Sequence, residues 1–265
     1  MSSAVENFTN ILFEIRGSVA TVMLNRPEKL NTLSSAALEE LRRVIEEILG
    51  QEAVRAAVIT GAGEKAFSAG ADVAELAKFS VAEAKKFAKL GQGVFNLIEN
   101  GGKPFIAAVN GHAFGGGCEL ALACAIRIAS ENARLGQPEI KLGFTTGFGG
   151  SQRLVRTVGK PRAAELCLSG EPVDAKTALD WGLVTRLVPQ PRLAAEAGML
   201  AEKLASHSPV ALKYTLEAIN TAFDVPLAEG QAYEASLFAL CFATEDKKEG
   251  IAAFLEKRRP RFAGK

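Results

Sequence analysis

Phe105-Ile106-Ala107-Ala108-Val109-Asn110-Gly111 leads, through His112-Ala113-Phe114, into Gly115-Gly116-Gly117-Cys118-Glu119-Leu120. Apolar residues closed by Asn-Gly predict a strand. The glycines predict a tight turn into a helix that begins near Cys118. A strand feeding a helix through small residues points to an α/β architecture. The pattern recurs on both sides. A strand over Val19–Leu24 stops at Asn25-Arg26-Pro27, where proline cannot continue the ladder. Ser34-Ser35 opens a helix whose Leu38, Leu41, Ile45, Ile48 and Leu49 fall at three-to-four spacing, and Gly50 ends it. A strand over 54–60 and a helix over 81–99 follow. After about Pro189 glycine thins out, and helical patterns cover 191–206, 209–222, 226–242 and 246–256. The expectation is an α/β core over 1–190 and a helical segment over 191–265.

Composition narrows the class. The chain has 265 residues, 48% hydrophobic and 23% charged, with a formal net charge of +1. Such a balance is that of an ordinary globular chain and provides no strong field toward nucleic acid or membrane. Cys118, Cys124, Cys167 and Cys241 form no CxxC pair, and His112 and His207 are the only histidines. Neither a disulfide framework nor a metal site is expected, and reduced thiols fit a cytoplasmic location. Met1-Ser2-Ser3-Ala4-Val5-Glu6-Asn7 lacks a basic stretch followed by an apolar run, so no secretory signal is expected.

Two glutamates interrupt stretches that otherwise read as buried. Glu119 follows the glycines, and Glu139 lies in Leu135-Gly136-Gln137-Pro138-Glu139-Ile140. A carboxylate beside a core is costly unless it is paired, hydrogen-bonded or used. Pro138 fixes its own φ and biases Gln137 toward an extended shape, which suits a carboxylate held on a rigid turn. N–H groups at the start of the glycine-led helix can hold a developing negative charge. Phe67-Ser68-Ala69-Gly70-Ala71-Asp72 is a second loop of small residues able to offer such a donor. Two donor loops and two carboxylates supply what carbonyl polarisation with proton transfer requires. Taken singly, each has an ordinary explanation: a tight turn, a helix-dipole glutamate, a closely packed loop or a solvated carboxylate.

Other motifs carry less. Gly61-Ala62-Gly63-Glu64-Lys65-Ala66 fits G-x-G-x-x-A, but it runs into Phe67-Ser68-Ala69-Gly70, which is not helical, so a dinucleotide site is not expected. Gly147-Phe148-Gly149-Gly150-Ser151 reads as a ligand loop before a helix but lacks the lysine of a P-loop. Cys118 reads as a small buried residue, and both histidines read as structural.

With these stretches in view the chain resembles the enoyl-CoA hydratase (crotonase) family. The likeness runs from about Phe13 to Phe262. It rests on Leu24-Asn25-Arg26-Pro27 with Asn31, on 67–72, on Ala108-Val109-Asn110-Gly111, on 115–120, on Gly136-Gln137-Pro138-Glu139, and on Gly149-Gly150-Ser151-Gln152-Arg153-Leu154. The resemblance implies a crotonase-like spiral of ββα units, a C-terminal helical segment that packs between subunits, and trimers usually paired as hexamers. It implies hydration of a trans-2-enoyl-CoA to a 3-hydroxyacyl-CoA. The catalytic pair would be Glu119 and Glu139, and the N–H groups of Ala71 and Gly116 would form an oxyanion hole. Coenzyme A, part of the substrate, would lie near Lys29, Leu30, Lys65, Ala69 and Asp72. Lys257 would reach its phosphates, and no further cofactor would be needed.

Thr146 stands where many relatives carry proline, Phe148 is bulky, and Ala74 holds a position that is often lysine. Phe148 is expected to shorten the acyl pocket and favour short chains. An isomerase moving a Δ3 double bond to Δ2 could work with Glu139 alone, and the presence of Glu119 favours the hydratase. Some relatives bind RNA through a lysine-rich helix. Here the corresponding helix, 34–50, sets Arg42 and Arg43 among Glu39, Glu40, Glu46 and Glu47, a poor match to a phosphate backbone.

Overall fold

The computed structural model describes residues 8–265. β1 (Ile11–Arg16) and β2 (Val19–Leu24) form an antiparallel hairpin. α1 (Ser35–Gly50) begins at Ser34, whose hydroxyl accepts the Ala37 N–H, and buries Leu38, Leu41, Val44, Ile45 and Ile48. β3 (Ala56–Gly61), β4 (Ala66–Ser68), α2 (Val73–Leu76) and α3 (Val81–Asn100) follow. Next come β5 (Phe105–Val109), β6 (His112–Phe114) and α4 (Gly116–Ala123), then β7 (Ile126–Ser130), β8 (Arg134–Gly136) and a 3₁₀ turn over Pro138–Leu142. α5 (Gly150–Ser169), β9 (Val173–Asp174), α6 (Ala175–Asp180) and β10 (Arg186–Val188) complete the α/β part. α7 (Leu193–Ala205), α8 (Pro209–Thr221), α9 (Leu227–Cys241) and α10 (Glu245–Leu255) end the chain.

The pairs β3/β4, β5/β6 and β7/β8 make the chain a spiral of ββα units. The first strand of each pair joins the large sheet, β1-β2-β3-β5-β7-β10, and the second joins the small sheet, β4-β6-β8-β9. From β2 to β10 the large sheet is parallel, and β4, β6 and β8 are parallel in the small one. Every residue of β5 is buried, as a central parallel strand covered on both faces requires. Along β3, Ala57 and Ile59 point into the main core with α1 and α3, while Ala56 and Val58 meet Leu193, Ala197 and Ala201 of α7 on the other face.

The expected strand over 54–60 begins later, at Ala56, because the Val54 N–H is taken by the Gln51 carbonyl at 3.0 Å. The helix after the glycines begins at Gly116 rather than near Cys118. Gly61-Ala62-Gly63 leads into β4 and not into a helix, so it lacks the geometry of a dinucleotide loop. On α1, Arg42 is held by Glu39 at 2.8 Å and Glu46 at 3.0 Å.

Asn31 ties the segment after β2 to the connection between β3 and β4. It is buried, with φ at 56°, and its Oδ1 accepts the Arg26 N–H at 3.0 Å. Its Nδ2 donates to the carbonyls of Ala62 and Ala66 at 3.0 and 2.8 Å. Asn31→Ala removes these bonds, strands buried carbonyls and places alanine in a left-handed conformation that it disfavours. The expected loss is about 3 kcal/mol, lowering the thermal midpoint by about 6–12 °C. A scanning-calorimetry comparison checks it.

Candidate active site

The three ββα turns converge on one cavity of about 710 Å³. The first turn contributes Ala69, Gly70 and Ala71, together with a wall of Leu76 from α2, Phe79 from the connection and Phe87 from α3. The second contributes Gly115, Gly116 and Glu119, and the third contributes Pro138, Glu139 and the loop around Phe148.

The segment 26–33 runs beside the Ala71 loop. Leu33 N–H donates to Gly70 O at 2.8 Å, Asp72 N–H to Leu33 O at 3.1 Å, and Ala69 N–H to Leu30 O at 2.9 Å. Arg26 Nη2 binds Asp72 Oδ2 at 3.0 Å. Burial alone would push Asp72 up, but the bond from Arg26 and the charges of Lys29 and Arg26 outweigh it and hold the carboxyl below its ordinary value. The loop is thus clamped, and the Ala71 N–H is committed to no acceptor among the described residues. Gly116 opens α4, and its N–H is equally uncommitted there. The two loops lie side by side, since a Cβ built on Gly70 would stand 3.3 Å from Gly116 N.

Every residue of α4 is buried, so Glu119 is a carboxylate on a fully buried helix, 1% exposed. Its Oε1 accepts the N–H groups of Phe148 at 2.8 Å and Gly150 at 2.6 Å. Burial pushes it up to about 7, and the charge of Glu139 adds to the rise. The two N–H bonds and the charge of Arg153 oppose it. Glu139, in the 3₁₀ turn, is 9% exposed, and burial pushes it too up to about 7. The Gln137 amide, turned so that both its ends are satisfied, donates to both Glu139 oxygens at 3.1 and 3.2 Å. Position 115, against the Glu139 carboxylate, admits only glycine. Its φ is 50°, and a Cβ there would lie 2.7 Å from Glu139 Oε1.

Phe148 is 3% exposed and lines the cavity. Its ring meets Phe87 at 5.2 Å and Phe95 at 5.5 Å, both edge-on, and it presses so closely on Gly91 of α3 that no Cβ would fit there. Thr146 Oγ1 accepts the Ser151 N–H at 3.2 Å, supporting the loop as it enters α5.

Among the residues singled out from sequence, the cavity brings together Ala69, Ala71, Gly116, Glu119, Glu139 and Phe148. Lys29, Leu30, Lys65, Asp72 and Lys257 lie outside its lining. Lys29 is 3.8 Å from Asp72, Leu30 supports Ala69, and the Lys65 carbonyl accepts the His112 N–H. Reading the sequence missed Gln137 and Arg153. Both stand inside stretches that were singled out, but only their burial separates them from surface residues.

The Enoyl-CoA hydratase/isomerase family model matches residues 14–265. A short-chain-enoyl-CoA hydratase of Clostridium acetobutylicum is 47% identical over 94% of this chain and 96% of its own. A crotonyl-CoA hydratase of Syntrophomonas wolfei is 43% identical over 97% of this chain and 99% of its own. The crystal structure of an enoyl-CoA hydratase from Bacillus anthracis superposes with a TM-score of 0.94 at 40% identity, covering 97% of this chain and all of that one.

Proposed function

We infer from the Enoyl-CoA hydratase/isomerase family, to which this chain belongs, that the protein is a hydro-lyase. It adds water reversibly across the 2,3 double bond of a short-chain trans-2-enoyl-CoA to give a 3-hydroxyacyl-CoA. The observation that carries this reading is the pair of buried glutamates facing one cavity beside two uncommitted N–H groups.

In the mechanism we propose, the thioester oxygen sits between the N–H groups of Ala71 and Gly116. Negative charge gathers there as water adds to Cβ, and donors already in place stabilise it without reorganisation. Two carboxyls near 7 in one cavity hold about one proton between them at neutral pH. That is the state the reaction requires. Ionised Glu119 takes a proton from the attacking water, and protonated Glu139 delivers one to Cα. In dehydration the roles reverse. A double-bond shift requires a single carboxylate, and the second one here has a task only if water is a reactant. These steps call on no group beyond the carboxylates, the N–H donors and the substrate itself. Loss of the conjugated-enoyl absorbance of crotonyl-CoA tests the assignment. Absence of turnover with crotonyl-CoA and longer enoyl-CoAs overturns it.

Phe148 sets the chain length in this reading. Phe148→Ala enlarges the cavity toward Phe87, Phe95 and Gly91, at a stability loss of about 3 kcal/mol. The ratio of C10 to C4 turnover is expected to rise about 10-fold or more, because each added methylene then finds apolar contact. An unchanged ratio overturns the role of Phe148.

Exposed Ile219, Phe223, Phe238, Phe242, Phe254 and Leu255 give the C-terminal helices an apolar face of the kind buried between subunits. A homotrimer or a pair of trimers is the assembly proposed. Lys257 of this segment would then approach the coenzyme A phosphates of a neighbour, with Lys29 and Lys65 near the coenzyme A moiety. No helix among the described residues is long and apolar enough to cross a membrane. The four free thiols suit a reducing cytoplasm.

A further inference from the structure

Glu119 depends on the loop 147–150, because both N–H groups on its Oε1 come from that loop. The loop is gripped from α3. Gln92 Nε2 donates to the Gly147 carbonyl at 2.9 Å. That carbonyl belongs to the same peptide unit as the Phe148 N–H, so the bond at one end polarises the donor at the other. Arg153 Nη1 donates to the next carbonyl, Phe148 O, at 3.0 Å. Three more of its N–H groups are fixed by α3: both on Nη2, to Asn96 Oδ1 at 2.8 Å and Glu99 Oε2 at 2.7 Å, and the one on Nε, to Glu99 Oε2 at 3.1 Å. The third carbonyl, Gly149 O, accepts the N–H groups of Gln152 and Arg153 at the start of α5. Each peptide that aims at Glu119, and the one between them, therefore has its carbonyl end held.

A merely structural arginine would be satisfied by Glu99 and Asn96. The additional bond to Phe148 O ties α3 to the loop that holds the carboxylate instead, and Arg153 is buried at 9% exposure, where a guanidinium is costly unless it is paired and hydrogen-bonded. We propose that Gln92 and Arg153 are positioning residues for hydration, fixing the 147–150 peptides so that Glu119 faces the attacking water as its base. This rests on the hydratase reading above. Glu139 on the 3₁₀ turn, Arg153 and Cys167 on α5, and Cys118 on its own helix are the titratable or charged groups that interact with Glu119 among the described residues. Of these Arg153 alone is cationic, and its charge favours ionised Glu119.

Three variants test the role. Gln92→Met loses the donor without changing charge, Arg153→Met loses both, and Arg153→Lys keeps the charge while losing the fork. The expected result is a fall in kcat of about 10-fold or more for the two methionine variants, with KM moving less than about 3-fold. The ascending limb of their kcat/KM profile moves to higher pH, whereas Arg153→Lys keeps its limb near that of the wild type. The Glu119 carboxyl carbon, followed by ¹³C NMR and identified by its absence in Glu119→Gln, reads the same shift without turnover. An inactive wild type would therefore overturn the hydratase reading while the NMR titration still decides the grip. Lower thermal midpoints with an unmoved profile and an unmoved Glu119 titration overturn the proposal. So does a rise in KM alone, which would mark contact with substrate.

Discussion

Glu119→Gln and Glu139→Gln each lower crotonyl-CoA hydration by about 10³-fold or more, since each removes one of the two proton-transfer partners. KM changes little, because neither carboxyl is the main contact of the thioester or its carrier. The same variants become more stable than the wild type at alkaline pH. Both carboxyls lie near 7 in the folded chain, above their ordinary value of 4.5. The folded state therefore binds their protons more tightly than the unfolded one. The associated stability is fully present below about pH 4.5 and is lost as pH rises through 7. A glutamine, neutral throughout, avoids that loss. Glu119→Gln is expected to gain about 3 kcal/mol over wild type at pH 8 and less than about 1 kcal/mol at pH 5. Urea unfolding at the two pH values measures it. An equal difference at both would show that Glu119 is not held near 7. Activity retained in either variant would remove that residue from the chemistry.

Gly115→Ala is the second large loss. Alanine at φ 50° and ψ −122° is strained by about 1–3 kcal/mol, and its methyl group lands 2.7 Å from Glu139 Oε1 and 3.2 Å from Cδ. Relief requires Glu139 to swing away from Cα of the substrate or the start of α4 to shift. A displacement near 1 Å costs about 10²-fold in rate. Steady-state kinetics should show kcat down by that factor, together with a lower thermal midpoint. A destabilised variant with normal kcat would mean that Glu139 works from a different position.

The contrast between what sequence revealed and what it hid follows from range. β5, the glycines and α4 were legible because strand, turn and helix are consecutive, and the periodicity of α1 with its Ser34 cap is equally local. Glu119 and Glu139 stood out as carboxylates in apolar surroundings, and Phe148 as bulk among glycines. β4, β6 and β8 were not legible, since three residues are too few to show alternation. Arg153 looked like any helical arginine, and its partner Glu99 lies 54 residues earlier. Asp72, read as lying near coenzyme A, is also engaged by Arg26, 46 residues away. Such pairings arise only when the spiral closes.

That spiral also divides the labour of the site. The turn through β3 and β4 supplies one uncommitted N–H and, with the segment 73–88, much of the cavity wall, whereas the two later turns carry the two buried glutamates. Leu76 and Phe79 line the cavity from a part of the chain that carries neither glutamate, so they can change without altering the segment of either. A lineage built on this plan can explore new substrates by drift in one module while selection holds the others still.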